Sequence, residues 1–198
     1  MPVSANDILS RVKDEKVHFM RLQFTDIDGS IKNVEVPASQ FEKALDGQIM
    51  FDGSSIEGFT RIEESDMLLT PDMDTFQVFP WEANQGKVCR LVCDIALPDG
   101  TPFAGCPRGA LKRVVARAKD MGYTMMAGPE PEFFLFQTDD NGTAIPTTHD
   151  SGGYFYLCPR YLGFVARREI TGVLVAWGLL FAAANLVVAP AQHVIDYK

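Results

Sequence analysis

The sequence has no Cys-x-x-Cys pair. Its four cysteines, Cys89, Cys93, Cys106 and Cys158, show no His/Cys ligand spacing of a zinc site. Disulfides would require a secreted chain, and the N-terminal stretch MPVSANDILSRVKDEK is polar and charged, unlike a signal peptide. The expectation is reduced, mostly buried thiols in a cytoplasmic protein. Basic residues are also short: 18 Lys and Arg stand against 26 Asp and Glu, for a formal net charge of −8. A nucleic-acid partner needs a basic surface, so that class is excluded and the acidic balance reads as a solvated surface. No internal repeat or low-complexity segment is present. Between Ile170 and Ile195 there is no Asp, Glu, Lys or Arg at all.

What is present is globular in kind. Hydrophobic residues make up 46% and charged residues 22% of 198 positions, enough for one large domain or two small ones with a real core. Ser4 reads as a helix cap ahead of Ile8, Leu9 and Val12 at helical spacing. VHFMRLQFTDIDGSIKNVEV reads as two strands around an Asp28-Gly29 turn, with Met20, Leu22 and Phe24 on one face. Ser39 and Glu42 have the spacing of a capping box before a short helix. TFQVFPW and KVCRLVCDIAL read as strands, and PDGTP at 98–102 is a turn cluster and a plausible domain boundary. Pro107 then opens a helix with an apolar stripe of Ala110, Leu111, Val114, Val115 and Ala118, expected to be buried, and Gly122 ends it. YTMMAGPEPEFFLFQ reads as one strand, closed by a turn at DDNG. The architecture implied is α+β, with residues 1–103 as a small first domain and 104–198 as a second.

The uncharged stretch at 170–190, ITGVLVAWGLLFAAANLVVAP, follows Arg167 and Arg168. On hydropathy alone it fits a membrane-spanning helix. It fits equally a helix and a strand of a larger α/β core.

Glu130 and Glu132 flank Pro131. On a strand, residues two apart share a face, so the carboxylates project side by side and repel. They are tolerable facing water or with a hard cation such as Mg²⁺ or Mn²⁺ between them. Phe134 and Phe136 would continue that face as an apolar wall. A second segment, FDGSSIEGFTRIEESDMLL at 51–69, reads alone as a polar loop with an Asp52-Gly53-Ser54-Ser55 turn and an acidic run of Glu63, Glu64 and Asp66.

Taken together, FDGSSIEGFTRIEESD, LPDGTPFAG, GPEPEFFLF, GGYF and RLQFTDIDGSIKNVEVP resemble the bacterial type I glutamine synthetase family. The resemblance implies an N-terminal β-grasp domain followed by the first part of the glutamine synthetase catalytic α/β domain. It implies ATP-dependent ligation of ammonia to L-glutamate through γ-glutamyl phosphate, with two divalent cations, Mg²⁺ or Mn²⁺, and a homo-oligomer. Glu130 and Glu132 match two metal-ligand glutamates of the family. Asp52 matches the loop aspartate that the family lends to a neighbouring subunit's site to bind and deprotonate ammonium. Arg61 matches a position tied to glutamine feedback.

The sequence also departs from the family. Two later metal glutamates fall on Val187 and Val194, and a nucleotide-holding glutamate on Ala182. Paired histidines fall on Asn185 and Leu186, and an aspartate on Tyr156. Valine offers no ligand to Mg²⁺. The family's later metal histidine, nucleotide loops and glutamate-binding arginines are expected past the last residue here. The expectation is therefore a chain that is inactive by itself. The alternatives are a non-catalytic β-grasp module that assembles with full-length subunits, and a domain anchored in a membrane through 170–190. Family register weighs against the anchor, because the apolar run falls on a helix and a metal-bearing strand of a soluble template.

Overall fold

The computed structural model of the chain describes residues 2–59, 65–81, 86–148, 153 and 163–197. It divides into two compact units, Met1–Met125 and Met126–Lys198. The sequence placed a boundary near residue 103. The PDGTP turn does form there, with Leu97 N–H donating to Thr101 C=O at 2.8 Å. The division by packing falls later because the following helix is tied back to the first unit.

The first unit is mixed α+β. Helix α1, Ala5–Asp14, starts at Ser4, whose hydroxyl accepts from the Asp7 N–H while the Asp7 carboxylate accepts from the Ser4 N–H. This reciprocal box satisfies two of the free donors at the helix start. Five strands follow: β1 Val17–Thr25, β2 Ile31–Pro37, β3 Ile49–Asp52, β4 Asp66–Val78 and β5 Lys87–Ala96. Their order across the sheet is β2-β1-β5-β4-β3, with β1 parallel to β5 and the other neighbours antiparallel. The β1–β2 turn is held by Asp26, whose Oδ1 accepts from the N–H groups of Asp28 and Ser30, and Gly29 takes the left-handed φ of +84°.

Alternation fixes which face is covered. Met20, Leu22 and Phe24 on β1, Met67 and Leu69 on β4, and Leu91, Cys93 and Ile95 on β5 are buried in one cluster with Ile8 and Val12 of α1. A second helix, α2 Phe41–Leu45, adds Phe41, Ala44 and Leu45 to it. The expected Ser39–Glu42 box is absent. Ala38–Gln40 form a 3₁₀ turn, so Ser39 lies inside helical backbone, and Gln40 caps α2 with no side-chain bond. The segment 51–69, read as a loop, is also corrected at both ends. Asp52 is the last residue of β3 and pairs with Asp66, the first residue of β4.

Helix α3, Pro107–Asp120, begins as read, with Pro107 in its first turn and the Cys106 sulfur accepting from the Gly109 N–H. Its apolar stripe is not buried. Leu111 and Val114 are more than half exposed, and no residue of α3 is buried. The helix is held instead by charge. Arg108 donates to Asp94 at 2.8 Å and to Asp72 at 2.5 Å, and Lys112 reaches Asp94.

The second unit contains β6 Glu132–Phe134, β7 Gln137–Thr138, β8 Ala144–Ile145, helix α4 Phe164–Ala176, β9 Phe181–Leu186 and β10 Gln192–Tyr197. The central sheet has the order β6-β10-β9, all antiparallel. The long strand expected over 123–137 is reduced to three residues and two. Pro129 and Pro131 have no N–H to give, so only their carbonyls join the ladder, accepting from Tyr197 and Ile195 at 3.2 Å each. The uncharged run is not one helix. α4 ends at Ala176, Gly178 takes φ +86°, and β9 begins at Phe181. Among the described residues no helix is long and apolar enough to cross a membrane.

Candidate functional site

The Asp-Gly-Ser-Ser turn in the first unit is rigid for identifiable reasons. Gly53 passes so close to β4 that a Cβ there would stand 2.5 Å from the Met67 sulfur. Its N–H donates to Ser65 C=O at 2.7 Å. Asp52 ends β3 and caps the 3₁₀ turn Gly53–Ser55. Its Oδ1 accepts from the Ser54 hydroxyl at 2.6 Å and the Ser54 N–H at 2.9 Å, and its Oδ2 from the Ser55 hydroxyl at 3.1 Å. The Ser54 hydroxyl, then the Ser54 N–H, hold the Asp52 carboxyl below the usual carboxylate range, against a small opposing effect of burial. The result is an ionised, exposed carboxylate on a fixed turn. Such a group can hold a small cation or accept a proton. Arg61, Glu63 and Glu64 lie outside the described residues.

In the second unit, Glu132 opens β6 and Glu130 stands two residues before it; both are exposed. The sheet register decides what they face. Glu132 pairs with Val194 on β10, and Val194 in turn pairs with Asn185 on β9. The next row on the same face holds Phe134, Gln192 and Val187, the last joined by Val187 N–H to Gln192 C=O at 2.9 Å. Glu130 lies between the two proline carbonyls that β10 engages, level with Asp196. The opposite face is the covered one. His193, Leu186 and Ile195 are buried, and Phe133 stacks on His193 at 5.3 Å. The aromatic wall is confirmed in part. Phe134 and Phe136 stack at 5.8 Å, but each is about half exposed.

So the structure brings Glu132 and Val194 together directly. It places Val187 one strand and one row farther off. Ala182 is the extra residue in β9 where the register slips opposite Asp196 and Tyr197, and it is exposed. Asn185 shares the glutamate face, while Leu186 points into the covered one. Tyr156 and Cys158 lie outside the described residues. Among the described residues no three His, Cys, Asp or Glu side chains are grouped to hold a metal ion. The described residues therefore do not fit a two-cation cage.

One residue of this face escaped the sequence. Gln192 donates from Nε2 to Glu132 Oε2 at 2.9 Å, and its Oε1 accepts from the Ala189 N–H at 3.1 Å. Its amide is fixed by a turn that only the folded hairpin creates, so no sequence signal marked it.

Comparison with known proteins covers both units. Residues 16–98 match the family model of the glutamine synthetase β-grasp domain, and residues 104–198 that of the glutamine synthetase catalytic domain. Glutamine synthetase of Clostridium saccharobutylicum is 56% identical over 192 residues, spanning 97% of this chain and 43% of that protein. Glutamine synthetase of Staphylococcus epidermidis is 57% identical over 194 residues, spanning 98% and 44%. Among solved structures, apo GmaS without ligand aligns over 98% of this chain and 45% of its own, with a TM-score of 0.82 and 26% identity. Plasmodium falciparum glutamine synthetase aligns with a TM-score of 0.77 at 20% identity, a likeness of fold alone. The chain spans less than half the length of the relatives it matches.

Proposed function

The chain belongs to the glutamine synthetase family, and we propose that the reaction it serves is the ATP-dependent ligation of ammonia to L-glutamate, in a cytoplasmic homo-oligomer. In that reaction a γ-carboxylate oxygen of glutamate takes the terminal phosphoryl group of ATP and ADP leaves. Ammonia then attacks the acyl carbon and phosphate departs. The match of both domain models along the chain carries this reading. We place the border between β-grasp and catalytic parts near residue 103. Asp52 would supply the carboxylate that holds ammonium and takes its proton in a neighbouring subunit's site. Its fixed, ionised state supports the holding of the cation. Glu130 and Glu132 would be the carboxylates of the cation site, and Arg61 a contact for feedback by glutamine.

These residues alone do not complete the reaction. Val187, Val194 and Ala182 stand where ligand and nucleotide contacts are needed, and none has a lone pair to offer. Purified chain with Mg²⁺, ATP, glutamate and hydroxylamine should give no γ-glutamyl hydroxamate above a no-enzyme blank. Clear Mg²⁺-dependent turnover would refute this.

A second reading has an observation of its own. The first unit contains a complete core, yet α3 leaves Leu111 and Val114 uncovered. A self-sufficient first unit, the β-grasp part with α3 and its apolar face, suits a non-catalytic module that associates with full-length subunits. Co-elution with an intact family member would support it; separate elution at micromolar concentrations would exclude it.

A further inference from the structure

The cation-site glutamate Glu132 has two neighbours on its sheet face that decide what it can bind. The first is Val194. The bonds on either side of the pair, Ile195 N–H to Pro131 C=O at 3.2 Å and Leu135 N–H to Ala191 C=O at 3.1 Å, make Glu132 and Val194 a non-hydrogen-bonded pair. Such pairs are the closer kind, with Cβ atoms about 4.5–5 Å apart. A carboxylate at 194 would meet that of Glu132 over one ion at oxygen–metal distances of about 2.1 Å; valine cannot. The second neighbour is Gln192. Its Oε1 is taken by the Ala189 N–H, so Nε2 is the end that reaches Glu132. The carboxylate thus has a neutral donor, locked in place by the β9–β10 hairpin.

We infer that this face is closed to Mg²⁺ and Mn²⁺ from within: Gln192 holds Glu132 in an ion's stead, and Val194, the nearer of the two valines, is the first to deny the ion a ligand. Val187 lies two strands from Glu132, a lateral separation of about 9–10 Å for a flat sheet, and one row along. A carboxylate there meets Glu132 only on a diagonal. The inference rests on the family assignment for expecting a cation at all. A metal-binding test and the hydroxamate assay fail independently, so either can fall alone.

The test is titration of the full chain with Mn²⁺ alone, following free Mn²⁺ by electron paramagnetic resonance and binding heat by calorimetry. Parent chain should show only weak binding. Val194→Glu should bind at least about tenfold tighter, since affinity for hard cations rises with ligand number and charge. Val187→Glu alone should gain less than about threefold by the same rule, and Glu132→Gln added to Val194→Glu should abolish the gain. Without metal, Val194→Glu should melt below the parent, and Mn²⁺ should raise its melting temperature, because the ion binds only the folded form. Should that variant lose its fold, Val194→His adds a ligand without a charge and should still bind Mn²⁺ more tightly than the parent, by a smaller factor that Glu132→Gln removes. Tight stoichiometric binding by the parent would overturn the inference. So would a Val187→Glu gain equal to that of Val194→Glu.

Discussion

Replacing Arg108 with alanine should loosen α3 selectively, and the size of the effect follows from how that helix is held. None of its residues is buried, and an isolated helix of 14 residues is marginal in water. Its hold on the sheet is the fork of Arg108 on Asp94 and Asp72 and the Lys112–Asp94 pair. The three partners of the fork are 22–29% exposed at their side chains. Their pairing is therefore worth more than a surface ion pair, of about 0–1 kcal/mol, and less than a fully buried charged hydrogen bond. Two bonds at roughly 1 kcal/mol each give about 2 kcal/mol for Arg108. Asp94 would keep Lys112, which limits the penalty. At 1.4 kcal/mol per tenfold, α3 amides should exchange with deuterium about 30-fold faster in Arg108→Ala, with little change in β1 and β5. Arg108→Lys supplies a point charge without the fork and should recover about half of the loss. The pH dependence has a definite sign. Burial opposes ionisation of Asp94, but hydrogen bonds from Lys112 and Arg108 outweigh it and hold its carboxyl below the usual range. A carboxylate with a depressed folded value contributes stability above its unfolded value, near 3.9, and loses it as pH falls through the folded value. The gap between parent and Arg108→Ala should thus be full at pH 7 and close below about pH 4, after correction for intrinsic exchange. Unchanged α3 protection in Arg108→Ala at pH 7 would refute the account and leave the fork as decoration.

A piece comprising residues 1–125 should be soluble and melt cooperatively, because the core cluster lies wholly within it; an unfolded circular dichroism spectrum would refute this. A shorter piece ending at Gly105 should melt lower than that one, since it lacks the buried Cys106 and the Arg108 fork; equal melting would show that neither contributes. Cys89 and Cys93 are buried and burial pushes both thiols up to about 12. In a Cys158→Ala background at pH 8 they should not react with a disulfide reagent until denaturant is added, because the thiolate is the nucleophile. Rapid labelling of two thiols in the folded chain would contradict the burial.

Much of this protein was legible locally. Ser4 and Asp7, the Asp28-Gly29 turn, Pro107 and Gly122 act within a few residues of themselves, through caps and left-handed turns whose chemistry is written in neighbouring positions. The alternation of Met20, Leu22 and Phe24 announced their burial because a strand has two faces. The loop aspartate and the paired glutamates were visible as motifs for the same reason. Other features depended on segments far apart in the chain. The α3 stripe looked ready for burial, but amphipathic spacing names a face without naming what covers it. Residues 170–190 carry the hydropathy of one long helix, and Gly178 with the β9–β10 ladder makes them a helix and a strand. The strand at 123–137 was cut short because its prolines lack donors that the β10 partner would have used. Whether Glu132 faces Val194, Val187 or Gln192 was decided by the pairing of β6 with β10 across 60 residues of sequence. Register is a property of two strands at once, and a slip of one residue would have turned every one of these side chains to the other face.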